Sequence, residues 1–383
     1  MLARRANSKS KYQTFFLLHL NNLRAMNYYN FTAPGRPRKI TSIVIAVIVT
    51  GLLFQSIWSY QHTERPISIT NLSTDEQILH QHSTGRCMPE ISDEEVVRLR
   101  KTRSACRNAT QSSQFERQRI AIVSVNYGPQ NVSYQPSLGT HLQYANLHDL
   151  QMHVLCTPIL DHLWNKPAFI LSLLLVEMAK PPQRRLQWMF WTDRDSIILD
   201  QCRSLEEFLP SPAKSSSTKE GKASDDHEDI YLLATKDWNG LNNGIFLLRV
   251  NDWAVDLFTA ILAFRYYRPY VDLPFTEQSA MEIVMKEPQF KKMVRIVPQH
   301  WFNAYPKGKA QEFRDRTTED GLEKYHARRG DFLLHFAGIS HRDKAIAEWV
   351  KMLEQSEVIW SKESVQRDVT HDVAQFWGGK LHA

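Results

Sequence analysis

Trp188-Met189-Phe190-Trp191-Thr192-Asp193-Arg194-Asp195-Ser196-Ile197-Ile198-Leu199-Asp200 opens as an aromatic, apolar run, meets two carboxylates at i and i+2, and resumes as Ile-Ile-Leu. Such a pattern predicts a buried strand that stops at a site and starts again. An ionised aspartate is costly to bury unless it is paired or bound to a cation, so Asp193 and Asp195 call for a metal, a basic side chain or water. Arg194, between them, is the adjacent basic candidate. Two hard oxygen ligands at a strand end suit Mn²⁺ or Mg²⁺, which takes one or two carboxylates and completes its shell with water and phosphate oxygens. A nucleotide diphosphate would supply those phosphates.

The flanking segments place that strand in a sheet. Arg119 to Gly128 is a β-branched run closed by Gly128-Pro129, and Met152 to Cys156 is a second strand ended by Pro158. His141 to Leu150 is helix-like, and Trp164 to Ala179 carries apolar residues at helical spacing up to Pro181-Pro182. Strand, helix, strand, helix, strand predicts a doubly wound α/β fold, a mostly parallel Rossmann-like sheet with helices on both faces. Ligands of such sheets sit outside the carboxyl ends of the strands, where Asp193 and Asp195 fall. Residues 210–229 change to Lys, Ser, Thr, Gly, Asp and Glu and read as a disordered insertion. Ile230 to Ala234 resumes the sheet, and Asp237 to Arg249 reads as an Asn- and Gly-rich turn running into a strand. Gly244 there would let a backbone approach a ligand, and the Asn amides could read sugar hydroxyls. Asp252 to Tyr267 is an amphipathic helix capped by Asn251 or Asp252.

The formal charge of +6 over 383 residues does not mark a nucleic-acid binder. Residues 1–39 contain Arg4, Arg5, Lys9, Lys11, Arg24, Arg36, Arg38 and Lys39 and no acid, so the basic excess belongs to this tail and the rest is net acidic. Ile40 to Trp58 follows without a charge. As a helix it would span about 28 Å at about 1.5 Å per residue, enough to cross a bilayer. The basic flank keeps the amino terminus cytosolic, a single-pass type II layout with the rest lumenal. Residues 59–117 read as a polar stem, 118–350 as the folded body and 351–383 as a tail. Asn71, Asn108 and Asn131 head glycosylation sequons on the lumenal side. Cys87, Cys106, Cys156 and Cys202 allow three disulfide pairings, and the spacing chooses none of them.

Six blocks in order resemble glycosyltransferase family 34: W-N-K-P at 164–167, F-W-T-D-R-D-S-I-I-L-D at 190–200, L-N-N-G-I-F-L-L-R at 241–249, T-E-Q-S-A at 276–280, V-P-Q-x-x-F-N-A-Y at 297–305 and G-D-F-L-L-H-F-A-G at 330–338. That family includes fungal α-1,2-galactosyltransferases, Golgi α-1,6-mannosyltransferases and plant xyloglucan xylosyltransferases. The resemblance implies a GT-A fold over 118–350, retaining transfer of a hexose from a nucleotide sugar (UDP-galactose or GDP-mannose) to a glycan acceptor, Mn²⁺ (or Mg²⁺) dependence and Golgi residence as a type II protein, with a Golgi transferase complex as a candidate partner. It makes Asp193 and Asp195 the carboxylate pair and His335 the distant metal ligand. It lays Asn243 and Gly244 against the sugar and brings Gln278, preceded by Glu277, to the reacting carbon. Three departures stand out: Arg194 is bulkier than usual between the aspartates, Glu277 replaces Asp, and Ser340 stands where a basic residue is usual, with His341 and Arg342 following.

The residues agree with this chemistry. A divalent cation would stabilise the charge that builds on a departing diphosphate. Gln278 is a poor nucleophile, which favours same-face transfer with its amide oxygen steadying the cationic sugar. A glycoside hydrolase would need two carboxylates about 5 Å apart and no metal. A catalytically silent subunit of a transferase complex is the second reading.

Overall fold

In a computed structural model of the protein, the described residues are 78–83, 85–89, 91–109, 117–129, 132–210, 230–356 and 364–378. The membrane span read at 40–58, the basic tail before it and, apart from Pro210, the insertion at 210–229 lie outside them. Among the described residues no helix is long and apolar enough to cross a membrane.

The elements in chain order are β1 (Leu79–His82), α1 (Asp93–Ala109), β2 (Ile120–Val125), α2 (Gln135–His148), β3 (Gln151–Leu155), α3 (Asn165–Met178), β4 (Trp188–Thr192) and β5 (Ser196–Ile198). Then come β6 (Leu232–Asp237), β7 (Gly240–Arg249), α4 (Asp252–Tyr267), α5 (Glu277–Val284), β8 (Val294–Ile296), α6 (Ala310–Asp315), β9 (Leu333–His335), α7 (Arg342–Glu354) and α8 (Val369–Phe376). Seven strands form one sheet in the order β1-β3-β2-β4-β7-β6-β8. Its pairings are parallel except where β7 runs antiparallel to both β4 and β6. The sheet is therefore mostly parallel, as the strand and helix alternation predicts.

Period-two alternation feeds two cores. Ile120, Ile122, Trp188 and Phe190 face one layer with Leu138 and Leu142 of α2 and Val369 and Val373 of α8. Ala121, Val123, Met189 and Trp191 face the other, with Phe169 and Leu173 of α3, Phe258 and Ile261 of α4, and Met281 and Val284 of α5. Strand β4 is buried on both faces, which is why its sequence is a continuous apolar run. The α4 cap is Asn251, whose side chain accepts from the Ala254 amide.

Two sequence boundaries are corrected. The stretch 78–109 is not stem: β1 pairs in parallel with β3, from Leu79 opposite Met152 to His82 opposite Leu155. Disulfides Cys87–Cys156 and Cys106–Cys202 tie the same stretch to the body. Leu-His-Gln-His offers a single aliphatic residue, so an edge strand held by backbone pairing leaves little hydrophobic pattern. Nor are the described residues after 350 a loose tail. Val369 and Val373 enter the core, Phe376 packs on Trp301, and Trp377 Nε1 donates to the Phe208 carbonyl at 3.2 Å.

Candidate active site

Strand β4 ends at Thr192, and the chain crosses Asp193, Arg194 and Asp195 before entering β5. Strand β5 pairs antiparallel with β9, setting Ser196 opposite His335, and the Phe336 amide donates to the Asp195 carbonyl at 2.9 Å. This two-stranded ribbon carries His335 to the carboxylate pair. One ligand atom each from Asp193, Asp195 and His335 lie within 4.8 Å of one another.

The arrangement fits a divalent cation. His335 Nδ1 donates to Asn303 Oδ1 at 2.8 Å, which turns Nε2 toward Asp195 Oδ1, 3.5 Å away. A ring nitrogen and two carboxylates grouped in this way are donor types that a divalent cation accepts. Asn303 is fixed in turn, its amide donating to Thr235 Oγ1 at 2.7 Å and to Asn242 Oδ1 at 3.0 Å. Asn242 and the Tyr305 hydroxyl both donate to Asp237 Oδ2, at 3.0 and 2.6 Å.

Gly244 lies directly under His335: a Cβ there would fall 2.3 Å from His335 Cε1. The glycine makes room for the imidazole ring. Strand irregularity puts it there, because between the pairs Ala234–Phe246 and Thr235–Asn242 β6 advances one residue while β7 advances four. Asn242, Asn243 and Gly244 thus belong to the strand, and the turn is confined to Trp238 and Asn239.

The cationic partners of the aspartates differ from the sequence expectation. Arg194 turns away, donating to the Tyr127 carbonyl at 2.7 Å and lying 4.3 Å over the Tyr134 ring. Lys166, buried at the start of α3, instead meets Asp193 Oδ1 at 3.0 Å and Glu277 Oε1 at 3.4 Å. It also donates to the side-chain and backbone oxygens of Asn243 at 2.9 and 3.1 Å. Burial opposes the Lys166 charge, but Asp193 and Glu277 outweigh it and raise its pKa. Arg342, at the first turn of α7, donates to Asp195 Oδ2. Burial works against the Asp195 charge too, yet His335 and Arg342 prevail and hold its carboxyl well below the usual range.

Glu277 and Gln278 open α5 directly after Thr276, whose φ of 52° is strained for a β-branched residue. Glu277 is 3% exposed, and its Oε2 has no hydrogen-bond partner. Burial raises its pKa, against the pull of Lys166. Half-buried Gln278 accepts from the Asn243 amide at 3.1 Å through Oε1. The six blocks thus meet: Asp193, Asp195 and His335 form one cluster, and Lys166, Asn243, Glu277 and Gln278 form a second that shares Asp193. Lys166 and Asn303 lie within the W-N-K-P and V-P-Q-x-x-F-N-A-Y blocks beside other polar residues, Asn165 in one and Gln299 and His300 in the other, so the sequence alone does not single them out.

These features define an α/β protein with an Asp-x-Asp pair and a histidine at the carboxyl end of a central strand. A model of the galactosyl transferase GMA12/MNN10 family matches residues 122–345, more than half of the chain. The protein belongs to that family. The probable α-1,2-galactosyltransferase gmh1 of Schizosaccharomyces pombe is 25% identical over 231 residues, covering 55% of this chain and 64% of that protein. The probable α-1,6-mannosyltransferase MNN10 of Saccharomyces cerevisiae is 26% identical over 168 residues, covering 40% of this chain and 41% of that protein. Each match spans less than two thirds of the relative's own length. Among solved structures, a glycosyltransferase involved in glycosylation of the major capsid of PBCV-1 superposes with a TM-score of 0.40 at 13% identity, over 62% of this chain and 99% of that one.

Proposed function

We propose that the protein is a metal-dependent, retaining hexosyltransferase of GT-A type, moving galactose or mannose from a nucleotide diphosphate sugar to a glycan acceptor. The observation that carries this reading is the convergence of Asp193, Asp195 and His335 from distant segments. Mn²⁺ or Mg²⁺ held by these three would stabilise the negative charge that develops on the departing diphosphate. Lys166 and Arg342 pair with the two carboxylates, and their positive charge at this place would also suit donor phosphate oxygens. Asn243 holds Lys166, Glu277 and Gln278 in one geometry, so the groups that face the sugar need little reorganisation. Gln278 Oε1 has a second lone pair beyond the one used by the Asn243 amide, available to a cationic sugar carbon.

Two lines support a Golgi membrane setting with a lumenal catalytic domain. The uncharged stretch 40–58 follows a basic tail, and two disulfides suit an oxidising compartment. A second reading, a catalytically silent subunit of a transferase complex, draws on the same pairs, because Lys166 and Arg342 give the aspartates basic partners of their own. Hydrolysis of UDP-galactose and GDP-mannose by the purified protein, titrated with Mn²⁺, separates the two. Metal-dependent release of one nucleotide supports the transferase, whereas absence of both hydrolysis and Mn²⁺ binding supports the silent subunit.

A further inference from the structure

Trp238 sits at the tip of the turn joining β6 to β7 and is 65% exposed. Large exposed aromatics are common on mobile loops, but this turn is fixed on several sides. Asp237 Oδ1 accepts from the Asn239 amide at 2.7 Å, closing the tip. Gly240, at φ 105°, holds a backbone conformation that other residues rarely adopt, and the Glu282 carboxylate of α5 lies beside it. The indole is braced edge-on by Tyr305, with ring centroids 5.4 Å apart at 82°, and tilted against Tyr325, also at 5.4 Å.

The brace leads to the metal cluster. Tyr305 is 4% exposed, its hydroxyl is fixed on Asp237, and the edge of its ring meets His335 with centroids 5.9 Å apart. One buried ring therefore separates Trp238 from a metal ligand. We propose that Trp238 is the stacking platform for a pyranose ring of the glycan acceptor. The proposal rests on the transferase reading above and adds where that acceptor lies.

Pyranoses present a flat face of C–H groups that packs on an aromatic surface, and a side chain already held in place loses little entropy on binding. The neighbours suit a sugar better than a protein. Lys236 and Asn239 are exposed on either side and can pair with hydroxyl groups, while a lone aromatic between polar residues is too small an apolar surface for a stable protein interface.

The test uses the full-length protein in detergent, with Trp238→Ala and Trp238→Phe. Three quantities are read: nucleotide-sugar hydrolysis without acceptor, its Mn²⁺ dependence, and transfer to a labelled mannose-terminated oligosaccharide series. Trp238→Ala is expected to raise the acceptor KM by roughly tenfold or more with kcat little changed, the mark of lost ground-state binding. Hydrolysis, which needs no acceptor, and its Mn²⁺ response should be retained, and Trp238→Phe should recover part of the affinity. A wild-type acceptor KM in Trp238→Ala, or equal losses of hydrolysis and transfer, would overturn the platform alone. Failure of the wild-type protein to hydrolyse either donor would overturn the transferase reading and the platform with it.

Discussion

His335 donates its Nδ1 proton to the side-chain oxygen of Asn303 at 2.8 Å, and this bond decides which ring nitrogen faces the aspartates. Outer partners of metal-bound histidines typically contribute 10- to 100-fold in affinity. Asn303→Ala should therefore weaken Mn²⁺ binding by about tenfold or more. It should also destabilise the fold by about 1–3 kcal/mol, because Thr235 and Asn242 lose a buried donor. Calorimetric Mn²⁺ titration beside a melting curve reads both; a melting change with unaltered metal affinity would contradict the role given to this bond.

Gly244→Ala tests the close approach beneath His335. Its methyl group would arrive 2.3 Å from His335 Cε1, so ring or strand must move. Overpacking of a buried site costs about 1–3 kcal/mol. The expected outcome is a folded protein with lowered melting temperature and Mn²⁺ response greatly reduced. Normal metal response would show that His335 has room the structure does not give it.

Much of this was legible in the sequence, for definite physical reasons. Strand β4 is buried on both faces and contiguous, so its composition alone marks it, and the two aspartates declare themselves by interrupting it. The meeting of Asp195 with His335 depends on β5 pairing with β9 across 139 residues, and only the family resemblance supplied it. Lys166 stayed hidden because its partners, Asp193, Asn243 and Glu277, lie on three other segments. Arg194 misled because adjacency in sequence is not proximity of side chains; its guanidinium lies on Tyr134. The polar run through β1 and α1 resembled a stem, since backbone pairing and disulfides anchor it in place of a hydrophobic face.

That anchoring makes truncation informative. A fragment beginning at residue 61 keeps β1, α1 and both disulfides and should fold and retain hydrolysis. One beginning at residue 118 loses an edge strand and half of each disulfide. Crosslinks closing loops of this length stabilise by about 4–5 kcal/mol in the chain-entropy view, a large share of a domain's stability. The shorter fragment should therefore be insoluble or melt far lower; equal melting temperatures would restore the stem boundary at 117.

Acid should destabilise the protein through the histidines on β1 and β3. His82 Nε2 and His153 Nδ1 meet at 2.9 Å, and His80 stacks on His153 with centroids 4.6 Å apart. Burial, reinforced by His80, pushes His82 from 6.5 down to about 4, and burial together with His80 and His82 also holds His153 well below its usual range. The unfolded chain then binds more protons than the folded one between about pH 6.5 and 4. The stability linked to these groups is full above pH 6.5 and is lost as pH falls through that window, by up to about 1.4 kcal/mol per pH unit for each histidine. Urea melts at pH 7 and pH 5 should show a smaller drop for His82→Phe than for wild type; identical drops would remove His82 from the explanation.

The most direct measurement is Mn²⁺-dependent sugar transfer by Asp195→Asn, followed beside its thermal melt. The substitution nearly preserves size while removing a negative charge from a residue that faces both His335 and Arg342. The expected result is a folded protein with weakened Mn²⁺ affinity and transfer lowered about 10²-fold or more, roughly 2.7 kcal/mol of barrier. Full activity with a wild-type Mn²⁺ response would contradict the site proposed for this protein.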